Sequence, residues 1–298
     1  MFASLAALAL AVQPAPRPRR VARDAAALAE ACRGKDGWTD PAPPAHIFGN
    51  TYYVGTCGIS AILITDERGH VLIDGGPPEA APLILANIRR LGVDPRRIRY
   101  LLNSHEHFDH AGGLAALKQA TGAQLFARVE ARATLESGRP DPADPQGAVL
   151  HAFPPVRVDQ VLASSGVVVV GTVALPGVVL TYDPTPGHTA GSTTWSWTAC
   201  ERWTGCRFIA YADSLTSPAA EHYRFTDHPA LVASFRATFA VVAAQGCDIL
   251  ITPHPSASNL FARLAGRAPL IDPTACRAYA DSASARLNQR LAQERAGR

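Results

Sequence analysis

The stretch His105-Glu106-His107-Phe108-Asp109-His110 constrains this chain most, because it follows a short expected strand, Ile98–Leu102, that ends at Asn103-Ser104, and is followed at once by Ala111-Gly112-Gly113. In an extended segment, residues two apart project to the same side, so His105 and His107 can grip one cation. Asp109 and His110 fall where the chain turns into a helix. Neighbours there point in different directions, which lets them address a second cation beside the first.

Imidazole and carboxylate are suitable zinc ligands, and a catalytic site keeps a position open for water, so each ion needs a third protein ligand. His188 follows the turn Pro184-Thr185-Pro186-Gly187, and His254 stands in Pro253-His254-Pro255 after the apolar run at 249–252. Both are expected at strand ends, where functional loops gather. A lone histidine in such a place is more often structural. With two cations already half coordinated, the simplest completion is one triad of His105, His107 and His188 and another of Asp109, His110 and His254. A closed structural site saturates its metal with four protein ligands, whereas three per ion leaves room for chemistry. His46, His70, His151, His222 and His228 have no comparable setting.

The pattern around this cluster is that of an α/β chain. After Pro41, Pro43 and Pro44, residues 45–74 read as a strand meander with turns at Gly49-Asn50 and Arg68-Gly69. Leu83, Ile84, Ile88 and Leu91 have helical spacing from Pro78 onward. A short strand at 98–102, a helix from about Ala111, a strand at 124–127 and a helix to about Glu136 follow. Five prolines between 137 and 158 mark a loop long enough to be functional rather than idle. Residues 160–182, including Val167 to Val170, return to β, followed by strands at 195–198 and 207–212. A helix at 229–244, a strand at 249–252 and a closing helix at 274–294 complete the chain. Strands alternate with helices in both halves without a linker, so one α/β domain of sheets flanked by helices is expected.

A net charge of +3 over 298 residues, with no basic run interleaved with aromatics, gives no reason to expect a nucleic-acid partner. Arg17, Arg19, Arg20 and Arg23 read as a solvated segment. Phe2 to Val12 is apolar but too short to span a bilayer, and no later run is long enough. That run resembles the core of a secretory signal, with Ala9 and Ala11 as small residues for cleavage, although no basic segment precedes it. Either translation starts further upstream, or the run is a buried alanine-rich helix; export is the favoured reading. Six cysteines form no CxxC pair and permit 15 pairings, of which sequence neighbourhood favours Cys32 with Cys57, Cys200 with Cys206 and Cys247 with Cys276. Such bonds require an oxidising compartment. The alternative is six unpaired core cysteines in a cytosolic protein.

HxHxDH at 105–110, Pro-Gly-His-Thr at 186–189, Tyr-Ala-Asp-Ser-Leu at 211–215 and Thr-Pro-His-Pro at 252–255 resemble the metallo-β-lactamases, specifically their third, di-zinc subclass. The first motif alone marks only the wider superfamily of hydrolases; the combination, from about Trp38 onward, is far more specific. The resemblance implies an αβ/βα sandwich with two mixed β-sheets flanked by helices, and two zinc ions at one edge held by the two triads above. With the apolar run read as a secretory signal, residues 1–30 are expected to be a signal peptide and disordered leader, 31–298 the metallo-β-lactamase domain, and the enzyme a periplasmic monomer. The implied reaction is hydrolysis of the β-lactam amide of penicillins, cephalosporins and carbapenems by a zinc-bound hydroxide, which metal coordination makes available near neutral pH. The substrate is then a small molecule, with neither nucleic acid nor membrane as partner, and the consequence is antibiotic resistance. Asp109 would orient the nucleophile as well as bind metal.

The resemblance also gives Ser214 and Thr216 to the substrate carboxylate, although hydroxyls at strand ends cap helices as well. Asp74, in Leu72-Ile73-Asp74-Gly75-Gly76, either supports the ligand loop as an acceptor or is an ordinary turn aspartate before glycines. Asp213 is ambiguous, because in the thioesterase branch of the superfamily an aspartate in this region bridges the metals. A serine β-lactamase needs Ser-x-x-Lys, and the two lysines, Lys35 and Lys118, are preceded three positions earlier by Cys32 and Ala115. No glycine-rich phosphate or dinucleotide signature occurs. The alternative function is a glyoxalase-type thioesterase or lactonase on the same two ions.

Overall fold

The computed structural model describes residues 18–162, 171–175 and 178–297. Its first half runs α1 (Pro18–Ala31), β1 (Ala45–Phe48), β2 (Thr51–Tyr53), β3 (Ile62–Ile64), β4 (His70–Ile73), α2 (Ala80–Arg90), β5 (Ile98–Leu102), α3 (Phe108–Ala111), α4 (Leu114–Thr121), β6 (Gln124–Arg128), α5 (Val129–Ser137) and β7 (Gln160–Leu162). The second half runs β8 (Gly171–Leu175), β9 (Val178–Pro184), β10 (Thr193–Glu201), β11 (Gly205–Tyr211), α6 (Pro229–Ala244), β12 (Ile249–Ile251), α7 (Leu260–Leu264) and α8 (Ala275–Arg295). The strands form two sheets, in the orders β1-β2-β3-β4-β5-β6-β7 and β12-β11-β10-β9-β8. Both are mixed: β1 to β4 pair antiparallel and β4 to β7 parallel, while β12 joins β11 in parallel and the remaining pairs of that sheet are antiparallel.

The period-two alternation of side chains decides which way each sheet faces. Ile62 and Ile64 of β3 and Val71 and Ile73 of β4 point into a core shared with Ile209 and Tyr211 of β11 and Ile249 and Ile251 of β12. The residues between them turn outward. Leu63 and Leu72 pack with Ile84, Ile88, Leu114 and Leu117 of α2 and α4. Ala210 and Leu250 pack with Phe235 and Phe239 of α6 and Ala283 and Leu287 of α8. Each central strand is therefore apolar on both faces, as a helix-covered sheet requires, and the layers run helix, sheet, sheet, helix.

Three expectations need correcting or bounding. Helix α1 lies mostly inside the segment assigned to the leader, yet Ala25, Leu28 and Ala29 are buried and Leu28 joins the intersheet core. Its apolar stripe packs on β1 and α7, so the folded unit reaches back past residue 31. The helix expected from Ala111 begins earlier and is broken. Asp109 and His110 lie inside α3, which stops before α4 because Gly113 passes against the backbone of Gly75, where a Cβ on Gly113 would stand 2.2 Å from the Gly75 carbonyl oxygen. The run Phe2 to Val12 and the stretch Val167 to Val170 lie outside the described residues.

The six cysteines are joined as Cys32–Cys57, Cys200–Cys206 and Cys247–Cys276. The first ties the end of α1 to the loop after β2, the second crosses the β10–β11 hairpin, and the third fastens α8 to the segment entering β12. Among the described residues, no helix is long and apolar enough to cross a membrane.

Candidate metal centre

The C-terminal ends of β4, β5, β11 and β12 and the segment after β9 meet at one edge of the sandwich, and the sheets are stitched together there by polar contacts. Ser60, from the first sheet's side, donates its backbone N–H to the Pro253 carbonyl at 2.7 Å and its hydroxyl to the Thr252 carbonyl at 2.8 Å. Trp195 of β10 donates its indole N–H to the Asn103 carbonyl at 3.0 Å. Thr193 donates its N–H to the Ser104 carbonyl at 2.7 Å. The segment leaving β5 is thus held by β10 of the second sheet, and the segment leaving β12 by the first.

Three histidines meet in front of it. The ring centroids of His105, His107 and His188 stand 4.9, 4.7 and 4.8 Å apart, an almost equilateral cluster. His105 and His110 are 4.2 Å apart, and His110 and His254 are 5.0 Å apart. Asp109 Oδ2 lies 3.1 Å from His110 Nε2 and 3.3 Å from His254 Nε2. All six residues named from the sequence therefore converge, five of them buried and His254 with 36% of its side chain exposed at the mouth.

Each ring nitrogen has a direction. His105 Nδ1 donates to Asp213 Oδ1 at 2.8 Å, His107 Nε2 to Asp144 Oδ2 at 2.9 Å, His188 Nδ1 to the Thr216 carbonyl at 2.9 Å and His254 Nδ1 to the Gly58 carbonyl at 3.2 Å. A neutral imidazole that donates from one nitrogen offers a lone pair on the other. One ligand atom each of His105, His107 and His188 lies within 4.8 Å of the others. His105 Nε2 is buried with no hydrogen-bond partner, a costly state unless a cation accepts its lone pair. His110 and His254 bring their Nε2 atoms within 3.4 Å of each other. That separation fits a tetrahedral edge, which for bonds of about 2.0–2.1 Å is about 3.3 Å. Two groups, His105 with His107 and His188, and His105 with Asp109 and His110, place ligand atoms within 4.8 Å of one another. The donor set fits a divalent cation.

Protonation separates His105 and His188 from His110. Burial, reinforced by His110, His188 and His107, holds His105 well below the usual imidazole range. Burial and then His107 push His188 down to about 3. Burial acts the same way on His110, but the Asp109 carboxylate and then Asp74 outweigh it and lift His110 to about 10. Burial opposes the charge on Asp109, and His110, with hydrogen bonds from His110 and His254, overrides it and keeps the carboxyl far below its ordinary range.

Asp74 is fully buried with φ at 64°, a left-handed conformation that costs a non-glycine residue roughly 1 kcal/mol or more. Four contacts hold it there. Its carboxylate accepts from Ser104 N–H, Ser104 Oγ and Tyr211 Oη, each at 2.7 Å, and its own N–H donates to the Leu102 carbonyl at 2.9 Å. Its Oδ2 also stands 3.6 Å from His110 Nδ1, an electrostatic contact too long for a hydrogen bond. Asp74 thus ties the end of β4 to Ser104, next to His105. Asp213 lies against the outer nitrogen of His105, outside the converging ligand groups. Thr216 is exposed and turns its carbonyl to His188, with its hydroxyl 3.2 Å from the same nitrogen, while Ser214 is buried beside it.

Sequence reasoning assigned no role to two acids in this site. Glu106, inside the six-residue cluster, is buried and accepts from the Thr189 hydroxyl at 2.7 Å and the Gly191 N–H at 2.9 Å, locking the turn after His188. Its conspicuous position between His105 and His107 was a signal. Asp144 belongs to Asp141-Pro142-Ala143-Asp144-Pro145, which read only as loop. That loop roofs a cavity of about 620 Å³ on the outer side of His107, walled by Phe108, Phe153 and Leu231 among others. Trp38, 45% exposed, stands 6.5 Å from the His254 ring at the mouth.

Comparison with known proteins agrees with this geometry. The family model of the metallo-beta-lactamase superfamily matches residues 54–196. The crystal structure of the metallo-β-lactamase MIM-1 from Novosphingobium pentaromativorans is 53% identical, with 91% of this chain and 98% of that one covered at a TM-score of 0.87. MEM-A1, a subclass B3 metallo-β-lactamase from a soil metagenome library, is 42% identical over 88% of this chain and 100% of its own, at a TM-score of 0.81. A hydroxyacylglutathione hydrolase from Anaeromyxobacter dehalogenans is 36% identical over 126 residues, 42% of this chain and 37% of that protein. The likeness to that hydrolase thus spans little more than a third of its length, whereas the likeness to the lactamases runs nearly end to end. On these grounds the chain belongs to the metallo-β-lactamase superfamily and, within it, to the subclass B3 metallo-β-lactamases.

Proposed function

We propose that the chain is a di-zinc β-lactamase that opens the amide ring of penicillins, cephalosporins and carbapenems. The observation that carries this reading is the convergence of five imidazoles and one carboxylate, with the outer nitrogens of His105, His107, His188 and His254 hydrogen-bonded and His105 Nε2 left bare. His105, His107 and His188 hold one ion; Asp109, His110 and His254 hold the other. When bound, two zinc ions supply a water-derived nucleophile near neutral pH and an electrophile for the lactam carbonyl.

The chain's own residues do the rest. Asp109, fixed by His110 and His254, orients the nucleophile. Ser214 and Thr216, on the segment leaving β11, bind the substrate carboxylate. The loop at 138–159 covers the substrate's side chains, and Asp74, Asp213 and Glu106 keep the ligand segments in place. Three disulfides and the apolar run Phe2 to Val12 support export to the periplasm, where a monomeric enzyme of this kind would confer antibiotic resistance.

The test is hydrolysis of a carbapenem and a penicillin by purified protein, followed by loss of β-lactam absorbance before and after chelation. Chelator-sensitive cleavage with about two zinc ions per chain is expected. Turnover of S-lactoylglutathione or of a lactone, with β-lactam absorbance unchanged, would transfer the reading to the thioesterase or lactonase branch.

A further inference from the structure

Of the four histidines whose outer nitrogen makes a hydrogen bond, three lean on segments directly continuous with the sheets or on a backbone carbonyl. His107 alone leans on a side chain of the long loop. We infer that Asp144 is a positioning residue that fixes the proton of His107 on Nε2, and so makes the 138–159 loop and the three-histidine set one mechanical unit. The geometry stands without a metal; its consequence for metal affinity rests on the function proposed above.

Both oxygens of Asp144 are committed. Oδ2 accepts from His107 Nε2 at 2.9 Å, with the two side chains 7% and 6% exposed. Oδ1 accepts from the Gln146 N–H at 2.7 Å, and the Asp144 carbonyl accepts from Gly147 N–H at 2.8 Å, so the residue also folds its own turn. The next carbonyl, Pro145, accepts from the Ala220 N–H at 2.9 Å, tying the loop to the segment after β11. That segment contains Thr216, whose carbonyl orients His188. The outer nitrogens of His107 and His188 therefore end on two loops that are bonded to each other.

A carboxylate can accept at both oxygens, whereas an amide offers one acceptor and one donor group. In Asp144→Asn either the Gln146 N–H or the His107 Nε2–H faces an NH2 group. Since the loop turn needs its acceptor, the amide donor falls to His107 and favours the Nδ1–H form, in which the inner nitrogen has no lone pair for a cation.

The experiment compares wild type, Asp144→Asn and Asp141→Ala. Asp141 accepts from the Ala143 N–H within the same loop at 2.8 Å and makes no contact with His107 among the described contacts, so its loss perturbs the loop without touching the ligand. In metal-free protein, nitrogen-15 correlation spectra of the histidine rings should show His107 as Nε2–H in wild type and Asp141→Ala, and shifted towards Nδ1–H in Asp144→Asn. In competition with a chromophoric chelator, zinc alone should bind Asp144→Asn with one equivalent weakened about 10- to 100-fold and the other unchanged. An unaltered His107 tautomer in Asp144→Asn would overturn the inference, as would equal weakening in Asp141→Ala. Wild type that bound no zinc would instead end the proposed function, and the tautomer spectra would still decide the role of Asp144.

Discussion

The histidine triad and the Asp109–His110–His254 set touch each other, with His105 and His110 centroids 4.2 Å apart, yet the fold prepares them in opposite ways. Burial keeps His105 and His188 from taking up a second ring proton, so each stands ready with one lone pair. His110, equally buried, keeps its proton because Asp109 and Asp74 lie against it. His105 and His188 are neutral and preorganised, whereas between Asp109 and His110 an internal ion pair holds the place a cation would take. The difference follows from where the carboxylates sit, since Asp213 and Asp144 lie behind the triad while Asp109 lies within the second set.

The comparison breaks most directly at the ligands. His188→Ala is expected to lower β-lactam turnover by about a hundredfold or more and to remove one bound zinc while leaving the fold largely intact. Loss of a ligand should cost at least as much as loss of a partner behind it. Near-normal turnover in metal-analysed protein would remove His188 from the set. His254→Ala, at the exposed mouth, should strip the other equivalent first.

Proton release sharpens the contrast. A cation entering beside His110 must displace its proton at pH 7, because that proton leaves the metal-free chain only near pH 10. Zinc affinity there should rise about tenfold per pH unit across pH 7–9, and titration calorimetry in buffers of different ionisation heat should count about one proton for that equivalent. His105 and His188 contribute no such proton.

The same shifts govern the metal-free fold. His188 and His105 have lowered values, so the unfolded chain binds more protons than the folded one below about pH 6.5, and stability is lost as pH falls from there towards 3. His110 has a raised value, so its contribution is complete below about pH 6.5 and is lost as pH rises towards 10. Thermal unfolding of metal-free protein should show both limbs. His188→Gln should flatten the acid limb and His110→Gln the alkaline one.

Tyr211→Phe should have the smallest effect. It removes one of the three hydrogen bonds that hold the Asp74 carboxylate, a loss of about 1.5–3 kcal/mol for a bond to a charged group. The thermal midpoint should fall while both zinc equivalents are retained.

The converging side chains were legible because their chemistry is concentrated: five of them are histidines in short, distinctive contexts, and apolar runs bounded by turn residues marked the strands around them. What escaped had no local signature. Asp144 reads as one of several aspartates between prolines, and only folding brings it to His107, 37 residues away in sequence. Helix α1 was hidden because its apolar stripe is alanine-rich and follows an arginine- and proline-rich stretch, so composition suggested a leader where the intersheet core takes Leu28. The break between α3 and α4 depends on the backbone of Gly75 approaching Gly113, a contact between positions that no single-segment pattern connects.

The most direct measurement is anomalous diffraction at the zinc edge from crystals grown with zinc. Two peaks are expected, one about 2.0–2.2 Å from ligand atoms of His105, His107 and His188 and the other equally close to Asp109, His110 and His254. A fully loaded crystal with a single peak, or with peaks remote from these side chains, would contradict the two-site account.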